Sequence, residues 1–117
     1  MLYTSSLAQA QKAPTTKKQY FIMPNHGNDE VVPDERDTEL YARGKITARG
    51  FALNYDMKLR SKEAYKWMER VSAEASHEDI ILVGEEDETE TNPRKILAEM
   101  MYSMFGGRTN FRYEGEL

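Results

Sequence analysis

The chain of 117 residues contains no cysteine. That excludes disulfide frameworks, thiolate zinc sites and cysteine nucleophiles, and it fits a reducing compartment. Histidine is scarce: His26 and His77 are the whole supply, too few and too separated for a zinc site. No apolar run approaches the roughly 20 residues that span a bilayer. The first residues, Met1 to Ala13, lack the basic start and long apolar middle of a secretion signal. A cytoplasmic protein without membrane contact is expected. Positive charge is also in deficit, since the formal net charge is -4. A phosphate backbone rewards a basic face, so non-specific DNA binding through global charge is disfavoured. There is no phosphate loop, nucleophile motif or internal repeat.

What is present suits one domain, because a chain of this length buries about 65% of its unfolded surface. Residues 1–17 are rich in Ser, Thr, Gln and Ala and read as a mobile arm, with residues 18–117 as the folded unit. The apolar start Met1, Leu2 and Tyr3 offers the alternative of an edge strand or a clasp on a second subunit. Gln19 to Met23 is aromatic and β-branched, and ends at Pro24 and Asn25, as a first strand should. A long polar loop follows over Pro24 to Asp37. Glu39 to Thr47 and Phe51 to Leu59 read as a hairpin turning at Arg49-Gly50. In the second of these, Phe51, Leu53, Tyr55, Met57 and Leu59 alternate with more polar residues.

Ser61 is a helix cap with Glu63 in the first turn, and Ala64, Trp67, Met68, Val71 and Ala75 form an apolar stripe behind it. The continuous run Ile80, Ile81, Leu82 and Val83 predicts a strand buried on both faces. Asn92-Pro93 starts a second helix striped by Ile96, Leu97, Met100, Met101 and Met104, with Gly106 as its stop. Asn110 to Glu114 is a last strand. The order β-β-β-α-β-α-β predicts an α+β fold, a single two-layer domain with a mixed sheet and two helices.

Three groups of residues carry functional readings. Glu85, Glu86, Asp87, Glu88 and Glu90 follow the buried strand and precede a helix, where ligands of open α/β sheets collect. They offer a surface to a basic protein partner, although acids before a helix are also stabilised by its dipole alone. Arg43, Lys45, Arg49, Arg108 and Arg112, with Tyr41, Phe111 and Tyr113, supply the charges and rings of a single-stranded nucleic-acid surface. Cross-strand pairing and burial of the rings is the plainer reading.

Asp34, followed downstream by Asp56-Met57-Lys58, resembles the sparse pattern of the restriction-endonuclease-like nucleases. That resemblance implies magnesium held by Asp34 and Asp56, with Lys58 orienting the attacking water. It requires Asp56 and Lys58 on one strand face. Without it, no cofactor is implied. The small, cysteine-free chain also resembles, in style rather than in motif, accessory proteins of bacteriophages and mobile elements. The favoured expectation is a non-enzymatic module that binds a host or cognate protein through its acidic loop. A magnesium nuclease and a structural subunit assembling through its N-terminal arm are the alternatives.

Overall fold

Ile80, Ile81, Leu82 and Val83 are each at most 2% exposed, so the strand they form is covered on both faces and flanked on both edges. The computed structural model, which describes residues 1–12, 17–85 and 92–117, shows how. Its elements run β1 (Leu2–Ser6), α1 (Leu7–Lys12), β2 (Lys18–Phe21), a 3-10 turn (Asp29–Val31), α2 (Glu35–Ala42), α3 (Ala48–Leu59), α4 (Lys62–Ala75), β3 (Ile80–Gly84), α5 (Pro93–Thr109) and β4 (Tyr113–Glu116). The four strands form one sheet in the order β2-β3-β1-β4, and every pair is parallel.

This α/β architecture corrects the expected α+β fold with a mixed sheet and two helices. Five helices serve an all-parallel sheet. The expected hairpin over 39–59 is absent, and α2 and α3 stand in its place. Thr47 caps α3 by accepting from Gly50 N at 3.0 Å, and Phe51, Tyr55 and Leu59, four residues apart, form its buried stripe. Leu53 and Met57, expected on the same buried face, are 55% and 70% exposed.

Residues 2–6, expected within a mobile arm, are instead the interior strand β1, hydrogen-bonded to β3 on one side and β4 on the other. The second helix does not stop at Gly106 but continues to Thr109, where Asn110 takes the left-handed conformation (φ 56°). Gly106 is needed for room, since a Cβ there would lie 2.7 Å from Cδ1 of Tyr102.

The first expected helix and the buried strand form where their residue patterns place them, as α4 and β3, whereas α1 falls in the expected arm and the last strand is Tyr113–Glu116 rather than 110–114. Ser61 accepts from Ala64 N at 3.2 Å and starts α4, whose Ala64, Trp67, Met68, Val71 and Ala75 are all 1% exposed or less. They pack with Leu2, Ile80 and Leu82 of the sheet and Leu97, Met101 and Phe105 of α5 as the main core. The connection after β2 is fastened to this core by two polar contacts. Trp67 Nε1 donates to Asn28 Oδ1 at 3.1 Å, and Asn28 Nδ2 donates to Phe21 O at 3.0 Å.

The crossovers fix where the chain reverses. From β1 the chain passes through α1 to β2, moving one way across the sheet, whereas from β3 it passes through α5 to β4, moving the other way. Right-handed crossovers therefore place α1 on one face and α2 to α5 on the opposite one. Between β1 and β3 lies the topological switch point, and the carboxyl ends of such strands are where open α/β sheets bind ligands.

Candidate functional site at the carboxyl edge of the sheet

At this carboxyl edge β1 ends in Ser5 and Ser6, in register with Val83 and Gly84 of β3. Ser5 is buried, and its hydroxyl donates to Ser6 O at 2.9 Å, while Ser6 Oγ accepts from Gln9 N at 3.1 Å at the start of α1. Glu85 stands exposed directly after β3. Beside the end of β2 a cavity of about 100 Å³ is lined by Ile22, Met23, Val32, Pro33 and Glu85 among others.

The start of α5 lies at the same edge of the sheet, where Arg94 reaches Glu116 at the end of β4. Asn92 occupies the N-cap position of α5, and its carbonyl accepts from Lys95 N and Ile96 N at 3.0 and 3.1 Å. The side chain makes no capping hydrogen bond. It is 4% exposed, yet among the described residues Oδ1 and Nδ2 both lack a partner. Among the described residues, Ser72 Oγ within α4 is the other buried side-chain atom left so. A buried amide without partners costs about 1–3 kcal/mol per unsatisfied group. Such a group in a folded protein calls for a reason beyond packing.

Two residues further on, Arg94 has a side chain with no exposure at all. Its Nε donates to Glu116 Oε1 at 3.0 Å and its Nη2 to Glu116 Oε2 at 2.5 Å, a two-pronged contact between α5 and β4. Beside the same carboxylate, the Thr4 hydroxyl lies 3.1 Å from Tyr113 OH. Burial pushes the Glu116 carboxyl up. The hydrogen bonds from Arg94 outweigh that cost, and the group is held below its usual range. Burial in turn raises the Tyr113 phenol, with Glu99 and Glu116 adding to it against the hydrogen bond from Thr4.

The carboxyl edge thus gathers a permanent buried cation, an orphaned amide, the start of a 17-residue helix with its partial positive charge, and two serines. These groups suit recognition of a small polar molecule that carries an anion. Among the described residues no three His, Asp or Glu side chains gather as a metal site.

A model of the family described as Domain of unknown function DUF488 matches residues 6–101, from the end of β1 into α5. The chain belongs to that family. No curated protein and no solved structure matches it. The matched stretch takes in Ser6, Gly84, Glu85, Asn92 and Arg94, so most of the edge lies inside the family domain, whereas Glu116 lies beyond the match.

The residues singled out from sequence fall as follows in this DUF488 member. Glu85 sits at the edge just described, and Glu86, Asp87, Glu88 and Glu90 lie outside the described residues. Asp34 and Lys58 meet, with Oδ1 and Nζ 3.1 Å apart. Asp56 pairs instead with Arg60 at 3.0 Å, because α3 is a helix and residues two apart on it point to different sides. The single strand face that the nuclease resemblance needs is therefore not formed.

Arg43 pairs with Glu39 at 2.7 Å within the α2–α3 connection region, where Lys45 and Arg49 also lie. Arg108 and Arg112 belong to the far end of α5 and the residues after it, with Arg108 3.3 Å from Tyr65 OH. The rings expected to interleave them are engaged: Tyr41 stacks on Phe51, Phe111 is buried against Tyr102, and Tyr113 meets Thr4. The Met-rich stripe of α5 divides, with Met101 buried and Met104 37% exposed beside a groove of about 660 Å³. Among the charged residues of that groove, Asp56 and Arg60 are already paired with each other. Among the described residues no helix is long and apolar enough to cross a membrane.

Sequence reasoning passed over Arg94, Asn92 as more than a cap, Ser5 and Glu116. A signal for the first was available. Arg94 lies three, four, seven and eleven residues before Leu97, Ala98, Met101 and Phe105, all buried, so it stands on the core face of its helix. A cation in that stripe is a buried cation, and buried cations have partners.

Proposed function

We propose that this chain binds a small polar molecule bearing an anionic group, at the carboxyl ends of β1 and β3. The observation that carries the reading is Asn92, at the start of α5, whose buried amide has no partner among the described residues. An amide has donor and acceptor to offer, so it reads the polar edge of a ligand. Arg94 and the start of α5 supply positive potential for the anionic part. The serines at the end of β1 supply hydroxyls at the same edge. The proposal is one of binding, with no reaction step assigned.

The test is amide-resolved NMR on the folded chain titrated with a panel of phosphate- and carboxylate-bearing metabolites. Shifts confined to Ser5, Ser6, Gly84, Glu85 and Asn92 are expected. Shifts confined to the α3–α4–α5 groove, or none across the panel, would overturn the reading.

A second reading keeps a basic protein partner recognised by acidic residues after β3. It is favoured by the exposure of Glu85 at the same edge. Its test is binding to a basic partner under rising salt, with the acids neutralised: weaker binding and a flatter salt dependence are expected, and unchanged binding at low salt would contradict it.

A further inference from the structure

A guanidinium stays protonated at any ordinary pH and, once buried, needs an anion that can meet its planar donors. Among the described residues Glu116 is such an anion, and its two oxygens on Nε and Nη2 stand where two oxygens of a bound ligand would stand. The element that delivers Glu116 lies at an edge of the sheet. β4 is an edge strand paired with β1 alone, and its register slips between the partners of Leu2 and Tyr3. Gly115, next to Glu116, has φ 100° with open space around the position of a Cβ. Beyond it, Leu117 N donates to Thr4 O at 2.7 Å. Edge segments with few ladder bonds open locally at low cost.

We propose that Glu116 is an internal stand-in for a phosphate group of the ligand, which takes Arg94 and the orphaned amide of Asn92 while the end of β4 swings out. The inference rests on the reading of the carboxyl edge as the binding site. A phosphate favours the exchange because it brings more charge and a third oxygen than a carboxylate does. Displacement of Glu116 makes the end of β4 report occupancy of the site, with Gly115 as the hinge.

The experiment compares inorganic phosphate binding to the full chain and to Glu116→Gln by calorimetry, with hydrogen exchange of the Leu117 amide as a second readout. Acetate serves as a carboxylate arm. Glu116→Gln removes the charge of the internal competitor and keeps its shape. The expected result is at least tenfold tighter phosphate binding in the variant, weaker binding of acetate than of phosphate, and faster Leu117 exchange in the wild type when phosphate is added.

The double variant Arg94→Met with Glu116→Gln removes both charges of the pair, which folded proteins tolerate better than the loss of one. It should bind no phosphate. Equal affinity in wild type and Glu116→Gln, or phosphate binding by the double variant, would overturn the inference. So would tighter binding of acetate than of phosphate. If that happens while panel ligands still shift Ser5, Gly84 and Asn92, the stand-in role of Glu116 falls and the site remains. If those amides also stay still, both fall.

Discussion

Arg94, in the first turn of α5, and Glu116, the last residue of β4, are joined through two nitrogen–oxygen contacts while the Arg94 side chain is wholly withdrawn from water. Removing one partner of a fully buried pair costs about 3–5 kcal/mol, because a charge is stranded. Glu116 keeps 24% of its side-chain exposure, so water relieves part of that penalty. Glu116→Ala should therefore lose about 2 kcal/mol in urea unfolding at pH 7. A loss below about 0.5 kcal/mol, as for surface ion pairs, would mean that the guanidinium is already hydrated.

The same pair sets a pH dependence. Glu116 is held below its ordinary 4.5, and Glu74, which accepts from Tyr20 OH and Lys18, is held below 4.5 as well, the hydrogen bonds to it outweighing burial. A carboxyl whose folded value is depressed contributes stability above its unfolded value. That contribution is lost as pH falls through the folded value. Stability should thus fall as pH drops below about 4.5. In Glu116→Gln the acid-side loss should be smaller, as read from urea midpoints at pH 7, 5, 4 and 3. Parallel pH profiles for the two proteins would contradict the placement of Glu116.

Asn28 fastens the residues after β2 to the core by serving Trp67 and the carbonyl of Phe21 at once. Asn28→Ala leaves a buried indole N–H without its partner and removes a tie on the loop, at about 2–3 kcal/mol. Asn28→Asp restores the acceptor but not the donor and should recover part of the loss. Equal stabilities for the two variants would show that the indole contact contributes little.

Gly106 inverts the usual helix rule. Glycine to alanine inside a helix ordinarily gains about 1 kcal/mol. Here the new Cβ meets the ring of Tyr102 at 2.7 Å. Gly106→Ala should lose about 1 kcal/mol in the wild type and gain about as much in a Tyr102→Ala background, so a double-mutant cycle should show coupling. A gain in both backgrounds would mean that the Tyr102 ring moves aside freely.

How far the sequence was legible depended on which pattern each segment carried. The helix from Ser61 and the strand Ile80 to Gly84 were readable because a cap with an i, i+3, i+4 stripe, or four β-branched and aliphatic residues in a row, has few competing explanations. Phe51 to Leu59 misled because every i, i+4 series is contained in an i, i+2 series. Phe51, Tyr55 and Leu59 serve a helix, and the intervening Leu53 and Met57 complete a strand pattern by coincidence. β1 was hidden for the opposite reason. Thr4 and Ser5 are buried without being apolar, since Tyr113 and Ser6 satisfy their hydroxyls, so a central strand reads as a polar tail. Once β1 is missed, the parallel sheet and its switch point cannot be assembled, and the carboxyl edge that holds Arg94 and Glu116 has no place in the sequence reading.

Natural proteins give up stability at the places they use, and an unserved buried amide is such a place. The most direct test is the unfolding free energy of Asn92→Ala against the wild type, both without ligand. A capping asparagine replaced by alanine ordinarily costs about 1 kcal/mol. Here the side chain caps nothing and both its polar atoms lack partners among the described residues, so the variant should be as stable as the wild type or more stable. A loss of 1 kcal/mol or more would show that the amide already works for the fold, and would remove the main reason for placing a ligand at this edge.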